Sequence, residues 1–339
     1  MKKISTSILI IMLTLGLSAF IFLNTNDPYP DLKFTYIKYN DNSEVYLVKV
    51  REDTRSDYIY IPGTYNGIKV EIDSYSLSGL PVKTLELGEG FKEIHTFSVY
   101  DSLLTKIILP SSLEYLGWFN VPIETVVFAP NSNLKHISDG FRGTNIKSII
   151  IPKSVESIMG QVFRDTPYLE EVIFEEGSKL NEIGNKHAFY NTNLKSITLP
   201  KSVKKIRFNT FQDSTVKLYF EEGSQLEEIG ELAFYNSSSL DYIPEGVKVI
   251  GKDAFSGAKL KEVVIPESVT YIGNLAFSRM PTLESIHMSD QIEFVGEYIF
   301  DQSNNVTIYI KGQNLIGYDP KWNDNRNQLE HERNIIYQS

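Results

Sequence analysis

Residues 265–288, "IPESVTYIGNLAFSRMPTLESIHM", repeat a phrase that the chain has already used: "GVKVIGKDAFSGAKLKEVVIP" at 246–266 and "QLEEIGELAFYNSSSLDYIP" at 225–244. Aligned on the residue that follows the alanine, the phrase recurs at Leu77, Val99, Phe119, Phe141, Phe163, Phe189, Phe211, Phe234, Phe255, Phe277 and Phe300, at intervals of 20 to 26 residues. In most units an Ile or Val stands five residues earlier, as in Ile158, Ile206, Ile229, Ile250, Ile272 and Val295, often with Gly behind it. A second apolar cluster follows the aromatic: "LTKIIL" at 104, "IKSIII" at 146, "LEEVIF" at 169, "LKEVVI" at 260, "LESIHM" at 283.

The last two apolar positions of that cluster are two apart, so both fall on one face of a strand. Pro often comes next, as in "IIIP" at 149–152, and a residue without an N–H cannot continue a ladder. A unit of this length cannot bury its own apolar residues. Neighbouring units must stack and share a core. After the Pro, segments such as "SVTYIG" at 268–273 supply a short second extended piece or turn, and the expected fold is a repeat solenoid, mainly β, of about eleven units, with short turns or helical pieces between strands. "FAPNSNLKHI" at 128, "FEEGSKLNEI" at 174 and "FEEGSQLEEI" at 220 lie 46 residues apart, so long and short units alternate there and the extra residues fall in the turn after the strand.

These units resemble those of the BspA-like leucine-rich repeat proteins, which read approximately I-P-x-S-V-x-x-I-G-x-x-A-F-x-x-x-x-L-x-x-V-x-I-P, and the likeness runs from about residue 58 to 311. The resemblance implies a right-handed solenoid with a parallel sheet on one side, displayed by bacteria or some protists for attachment. The pattern is broken at "LGWFNVP" (116–122), where a unit is shortened, and at "STVKLYFEE" (214–222), where the leading Leu is missing.

Composition narrows the remaining classes. With 42% apolar and 22% charged residues among 339, the chain has ample material for a core. It has no Cys, so disulfides, thiolate metal sites, Cys nucleophiles and a Cys-linked lipid are excluded. A net charge of −10 and the lack of any Lys/Arg run argue against nucleic acid as a partner. Residues 1–28 read as a signal peptide or an N-terminal membrane anchor: "MKK" precedes the apolar run Ile8 to Leu23, and Ile4 to Leu23 is long enough to span a bilayer as a helix. The small-x-small cleavage pattern is absent around Ala19, so cleaved and anchored forms both stay open. Membrane contact is expected through this segment alone. Residues 29–70 read as a β-hairpin cap turning at "NDNS" and leading into the first rung, 71–311 as the solenoid, and 312–339 as a C-terminal cap with Trp322 over the last rung.

No catalytic constellation emerges. His95, His136, His187, His287 and His331 lack the spacing of a helical metal pair, and no cofactor or metal motif is present. Glu175–Glu176 and Glu221–Glu222 recur with the 46-residue period and read as solvated turn residues copied with the repeat. A column just after the leading apolar residue (Lys83, Thr105, Glu124, Lys147, Glu170, Lys195, Lys261, Glu284) suggests a ladder of exposed ion pairs. Between the inward positions of each strand stands an outward residue, and Ile108, Val127, Ile150, Ile173, Tyr219 and Tyr309 form the candidate binding face, where apolar side chains would meet water. The expectation is an exported, non-enzymatic protein that binds a surface or matrix protein or a glycan; the alternative is a structural or assembly protein of the bacterium's own envelope.

Overall fold

The computed structural model describes residues 8–13, 17–22, 28–73, 76–98, 102–312, 317–326 and 334–338. The chain is a mainly β, parallel solenoid of about eleven turns with no helix among the described residues. It divides into two compact units, Met1–Leu134 with Gly143–Ile146, and Lys135–Arg142 with Lys147–Ser339.

In the first unit the strands Tyr58–Ile61, Thr84–Leu87, Lys106–Leu109 and Thr125–Phe128 form one parallel sheet in chain order. Alternation places Ile59, Ile61, Leu85, Leu87, Ile107 and Leu109 inside, each 2% exposed or less. Glu93–Ser98 and Tyr115–Asn120 make a second parallel pairing. The hairpin Leu32–Lys38 with Glu44–Val50 precedes them; Asp41 accepts the Ser43 N–H at 2.9 Å and Asn42 takes a φ of 66°, which closes the turn. Phe34 stacks on Tyr65 at 4.0 Å, and Tyr46 meets Tyr65 edge-on at 5.1 Å.

The apolar N-terminal run departs from the helix expected of it. Ile8–Leu13 and Leu17–Phe22 are antiparallel strands, the second pairing with Leu32–Lys38, and no helix of the described residues is long and apolar enough to cross a membrane. Isoleucine-rich sequence fits a strand, and the hairpin offers an edge that satisfies its backbone groups.

The second unit carries two kinds of strand. The short ones are His136–Ser138, Ser157–Met159, Glu182–Ile183, Lys205–Ile206, Glu228–Ile229, Val249–Ile250, Tyr271–Ile272 and Phe294–Val295, and consecutive members pair in parallel. This sheet forms where the sequence suggested a short second extended piece or turn, and it gives the second unit a parallel sheet beside that of the long strands. The long strands form three separate sheets: Ser148–Ile151 with Glu171–Phe174; Ser196–Leu199 with Lys217–Phe220; and Glu262–Val264, Ser285–Ser289, Thr307–Lys311 and Asn334–Gln338.

Between the two strand types lies the Ala-Phe turn. Phe141, Phe163, Phe189, Phe211, Phe234, Phe255, Phe277 and Phe300 are all 1% exposed or less. From Phe211 through Phe234 and Phe255 to Phe277 the rings stack at 5.4, 5.3 and 5.4 Å with planes within 7° of parallel. That spacing is slightly longer than the strand repeat of about 4.8 Å, so successive rings slip sideways into the offset arrangement their quadrupoles favour. Val99 lies outside the described residues.

The turn backbone is ordered in a matching way. Asp253, Phe255 and Gly257 donate their N–H groups to the carbonyls of Asn274, Ala276 and Ser278 in the following turn, at 2.9, 2.8 and 2.8 Å. The alternate residues Ala254, Ser256 and Ala258 bond three residues back within their own turn. The geometry needs a left-handed residue on each side of the aromatic: Asp253 at φ 52° and Gly257 at 74°, Leu232 at 57° and Asn236 at 53°. Gly251 and Gly273 stand where rungs approach closest; a Cβ there would meet backbone nitrogen of the preceding rung at 2.6 Å.

Two measurements check this core. Phe234→Ala or Phe255→Ala should cost about 3 to 5 kcal/mol in chemical denaturation, since each ring fills a slot between two others; a loss under about 1 kcal/mol would place the rings outside the core. Asp253 is 8% exposed, its Oδ1 is buried without a hydrogen bond 3.6 Å from Arg279, and burial pushes its carboxyl up against the pull of Lys252 and Arg279. A folded pKa above the unfolded one means that stability is full below the unfolded value of about 3.9 and falls as pH rises through the folded one. Asp253→Asn, whose amide suits the same left-handed backbone, should therefore be more stable than the parent at pH 7 and equal to it near pH 3 in urea denaturation.

Candidate binding face

The outward position of each long strand is the residue between two inward ones, which are buried or half-buried. In the first unit Ile108 and Val127 are cross-strand partners, Ile108 half-buried and Val127 exposed. In the second unit Ile150 and Ile173 are partners, exposed by 56% and 41%, while Ile149 and Ile151 beside Ile150 are buried. Tyr219, 52% exposed, is paired with Thr198. Tyr309 is partnered by His287, and their rings stack at 4.5 Å with planes 7° apart. All six residues point outward; Ile108 with Val127 and Ile150 with Ile173 pair within the set, and Tyr219 and Tyr309 are each partnered by a residue outside it.

The second unit's column is interrupted because its sheets are. Glu171–Phe174 and Ser196–Leu199 belong to different sheets, and the turn between Phe163 and Phe189 is the 26-residue one. His187 and Lys186 both take positive φ there, and the Phe163 and Phe189 rings tilt to 36°. A cleft of about 590 Å³ opens along the gap, lined by Glu170, Glu171, Ile173, Ser196, Thr198 and Glu221 among others. It separates the Ile150–Ile173 pair from the Thr198–Tyr219 pair.

Two exposed residues of this side escaped the sequence reading. Tyr242, 57% exposed, precedes Ile243-Pro244, the same place that Ile150 holds before Ile151-Pro152. The signal was present, but the rung lacks the L-x-x-V phrase that marked the others. Ile336 extends the Val264, His287, Tyr309 column by one more strand.

Charges are arranged differently from the expected ladder. Of that column, Lys261 and Glu284 pair at 4.0 Å, the one such pair among its described members. Ion pairs concentrate instead about the short strands: Glu182–Arg207 at 3.0 Å, Lys205–Glu228 at 3.1 Å, Glu227–Lys248 at 3.5 Å and Glu231–Lys252 at 3.7 Å. Each is partly exposed and is worth under about 1 kcal/mol.

The recurring carboxylates have a structural task. Glu175 accepts the Lys153 N–H and Glu221 accepts the Lys201 N–H, both at 2.9 Å, so each clasps the turn of the preceding rung. Glu89 accepts the N–H groups of Ser111 and Ser112 at 2.9 and 3.0 Å; although burial pulls the other way, these bonds hold its carboxyl below the usual range. Tyr58 donates to Glu86 at 2.6 Å, a bond that pushes the phenol up to about 12. His95 lies 3.0 Å from Glu93, His136 faces Ser157 at 2.9 Å, and His187 packs against Tyr190; His331 lies outside the described residues. Among the described residues no three acidic or histidine side chains converge as a metal site would need.

Stacked parallel rungs with an inward apolar pair per strand and an aromatic turn define a leucine-rich-repeat type of solenoid. A family model described as "BspA type Leucine rich repeat region" matches residues 57–140, 135–244 and 227–319, and the chain belongs to that family. Its fold is similar to that of a leucine-rich repeat protein from Bacteroides ovatus, at 20% identity over 82% of this chain and 81% of that chain, with a TM-score of 0.54. The pneumococcal vaccine antigen PcpA is 18% identical over 94% of this chain and 98% of that chain, with a TM-score of 0.48. A leucine rich cell surface protein from Faecalibacterium prausnitzii is 19% identical over 94% of this chain and 95% of that chain, with a TM-score of 0.43. No curated protein matches the sequence.

On this geometry the double substitution Ile150→Lys with Ile173→Lys should fold as the parent does, because both side chains already face water; circular dichroism and thermal melting check this, and loss of the folded state would show that the pair belongs to a covered core.

Proposed function

We propose that the protein is an exported, non-enzymatic repeat protein that binds a protein or glycan on another surface through the outward residues of its long strands. The observation that carries this reading is the Ile150–Ile173 pair: two large aliphatic side chains, side by side and both exposed, on a regular parallel sheet. Leaving such a pair in water forgoes burial worth roughly 25 cal/mol per Å² of apolar surface, which a partner would recover. Tyr219, Tyr242 and Tyr309 add rings with a polar tip, the side chains that interfaces favour. Export rests on the N-terminal "MKK" and the apolar run behind it.

The face is tested by presenting the parent and the Ile150→Lys/Ile173→Lys variant to arrays of glycans and of immobilised extracellular matrix proteins. Saturable binding by the parent that drops at least tenfold in the folded variant supports the reading; equal binding by both moves the site elsewhere. Export is tested by N-terminal sequencing of the protein from native cells, membrane and medium separately. An intact Met1 in the membrane places the protein in the cell's own envelope; a start near residue 20 to 28 in the medium makes it a secreted module; recovery from the cytoplasm alone overturns export.

A further inference from the structure

The three sides of the last turn end differently. The aromatic stack is closed by Trp322, whose ring meets Phe300 edge-on at 6.1 Å and which is itself 8% exposed. The short-strand side is closed by Gly317 and Tyr318: Val295 donates its N–H to the Gly317 carbonyl at 2.9 Å, and Tyr318 is 8% exposed. The long-strand side runs one rung further, to Asn334–Gln338, which pairs in parallel with Thr307–Lys311.

That last strand has the character of an interior rung without a neighbour. Ile335 and Tyr337 are in register with Ile308 and Ile310, which are fully buried; yet Ile335 is half-buried and Tyr337 is 48% exposed. Gly312 donates its N–H to the Gln338 carbonyl at 3.0 Å, so residues 334, 336 and 338 turn their backbone groups toward the preceding strand. In a parallel ladder the alternate residues serve the other neighbour. The N–H and C=O groups of Ile335 and Tyr337 therefore face an edge that no strand among the described residues occupies. Within the strand itself two of the devices that blunt an edge are lacking: "NIIYQ" carries no charge and no Pro.

We propose that this edge pairs antiparallel with the same strand of a second copy, about a two-fold axis passing beside Ile336. The hydrogen-bonding pattern is self-complementary. Ile335 of one copy and Tyr337 of the other exchange both backbone bonds, the reverse pair does the same, and the two Ile336 residues meet as the close, non-bonded pair between them. Such an interface is isologous and closes at two copies. The strand is uncharged, so two chains of net charge −10 meet at a place where like charges do not face each other. Five residues a side make a small interface, and association should follow protein concentration accordingly.

Sedimentation equilibrium of the full chain, from micromolar to several hundred micromolar, should show a monomer giving way to a dimer. Ile336→Lys and Ile336→Glu each set like charges opposite one another across the axis, and each should stay monomeric over that range with unchanged circular dichroism. Mixed in equal amounts, the two variants should dimerise again, which a general loss of stability would not produce. A parent that stays monomeric, a single variant that associates as the parent does, or a mixture that stays monomeric each overturns the proposal.

Discussion

Stacking of the phenylalanine turns sets the repeat of the second unit. A ring buried between two rings must sit at the same height in each rung, and the backbone around it must repeat at the strand spacing. That backbone alternates its donors, one set to the next turn and one set within its own turn. Two left-handed residues flank the ring to make this possible, which is why Asn, Asp and Gly recur there and why Leu232 and Leu275 are tolerated despite the steric cost. The small alanines before the rings, Ala188, Ala233, Ala254 and Ala276, are all fully buried, leaving room for the neighbouring turn. Once the rise is fixed, strands fall into register and outward residues line up without any further instruction.

The same constraint explains where regularity fails. Ile183 stands six residues before Phe189, whereas Ile206, Ile229, Ile250 and Ile272 stand five before their rings. The added residue is absorbed by consecutive left-handed conformations at Lys186 and His187, and the ring that follows, Phe189, is tilted by 36° from Phe163 while lying parallel to Phe211. On the far side of that rung the long strands on either side fall into separate sheets, and a cleft forms between them. One residue in a turn thus divides the outward column of a sheet, so the outward surface of the long strands is a set of patches.

What was legible followed from how burial is written in the chain. The aromatic column follows from the recurrence of one phrase at 20 to 26 residues, and the strand ending in Ile-Pro and the outward positions Ile150, Ile173 and Tyr219 follow from side-chain alternation over about four residues. The second sheet was legible only as a short extended piece or turn, because strands such as Lys205–Ile206 and Glu228–Ile229 are two residues long and have no period to read. Their pairing is imposed by the stack. For the same reason the ion pairs were expected on the wrong column: Glu227–Lys248 and Lys205–Glu228 are brought together by a sheet the sequence does not announce. The clasp made by Glu175 and Glu221 was visible as a recurrence but not as a contact, since its partner is a backbone N–H one rung away.

A solenoid has no closed core, so its ends are where its physics differs from that of a globular domain. Each of three stacks, two of strands and one of rings, must be ended separately, and one covering segment need not serve all. Residues 317–326 close two of them with Tyr318 and Trp322, both large enough to cover a rung and both turned inward. The third stack ends on a strand whose inward residues are those of an interior rung. Stability of the last turns therefore depends on how each stack is terminated, and an added neighbour at the open one would act on Thr307–Lys311 and the His287–Tyr309 column beyond it through the hydrogen bonds of a single sheet.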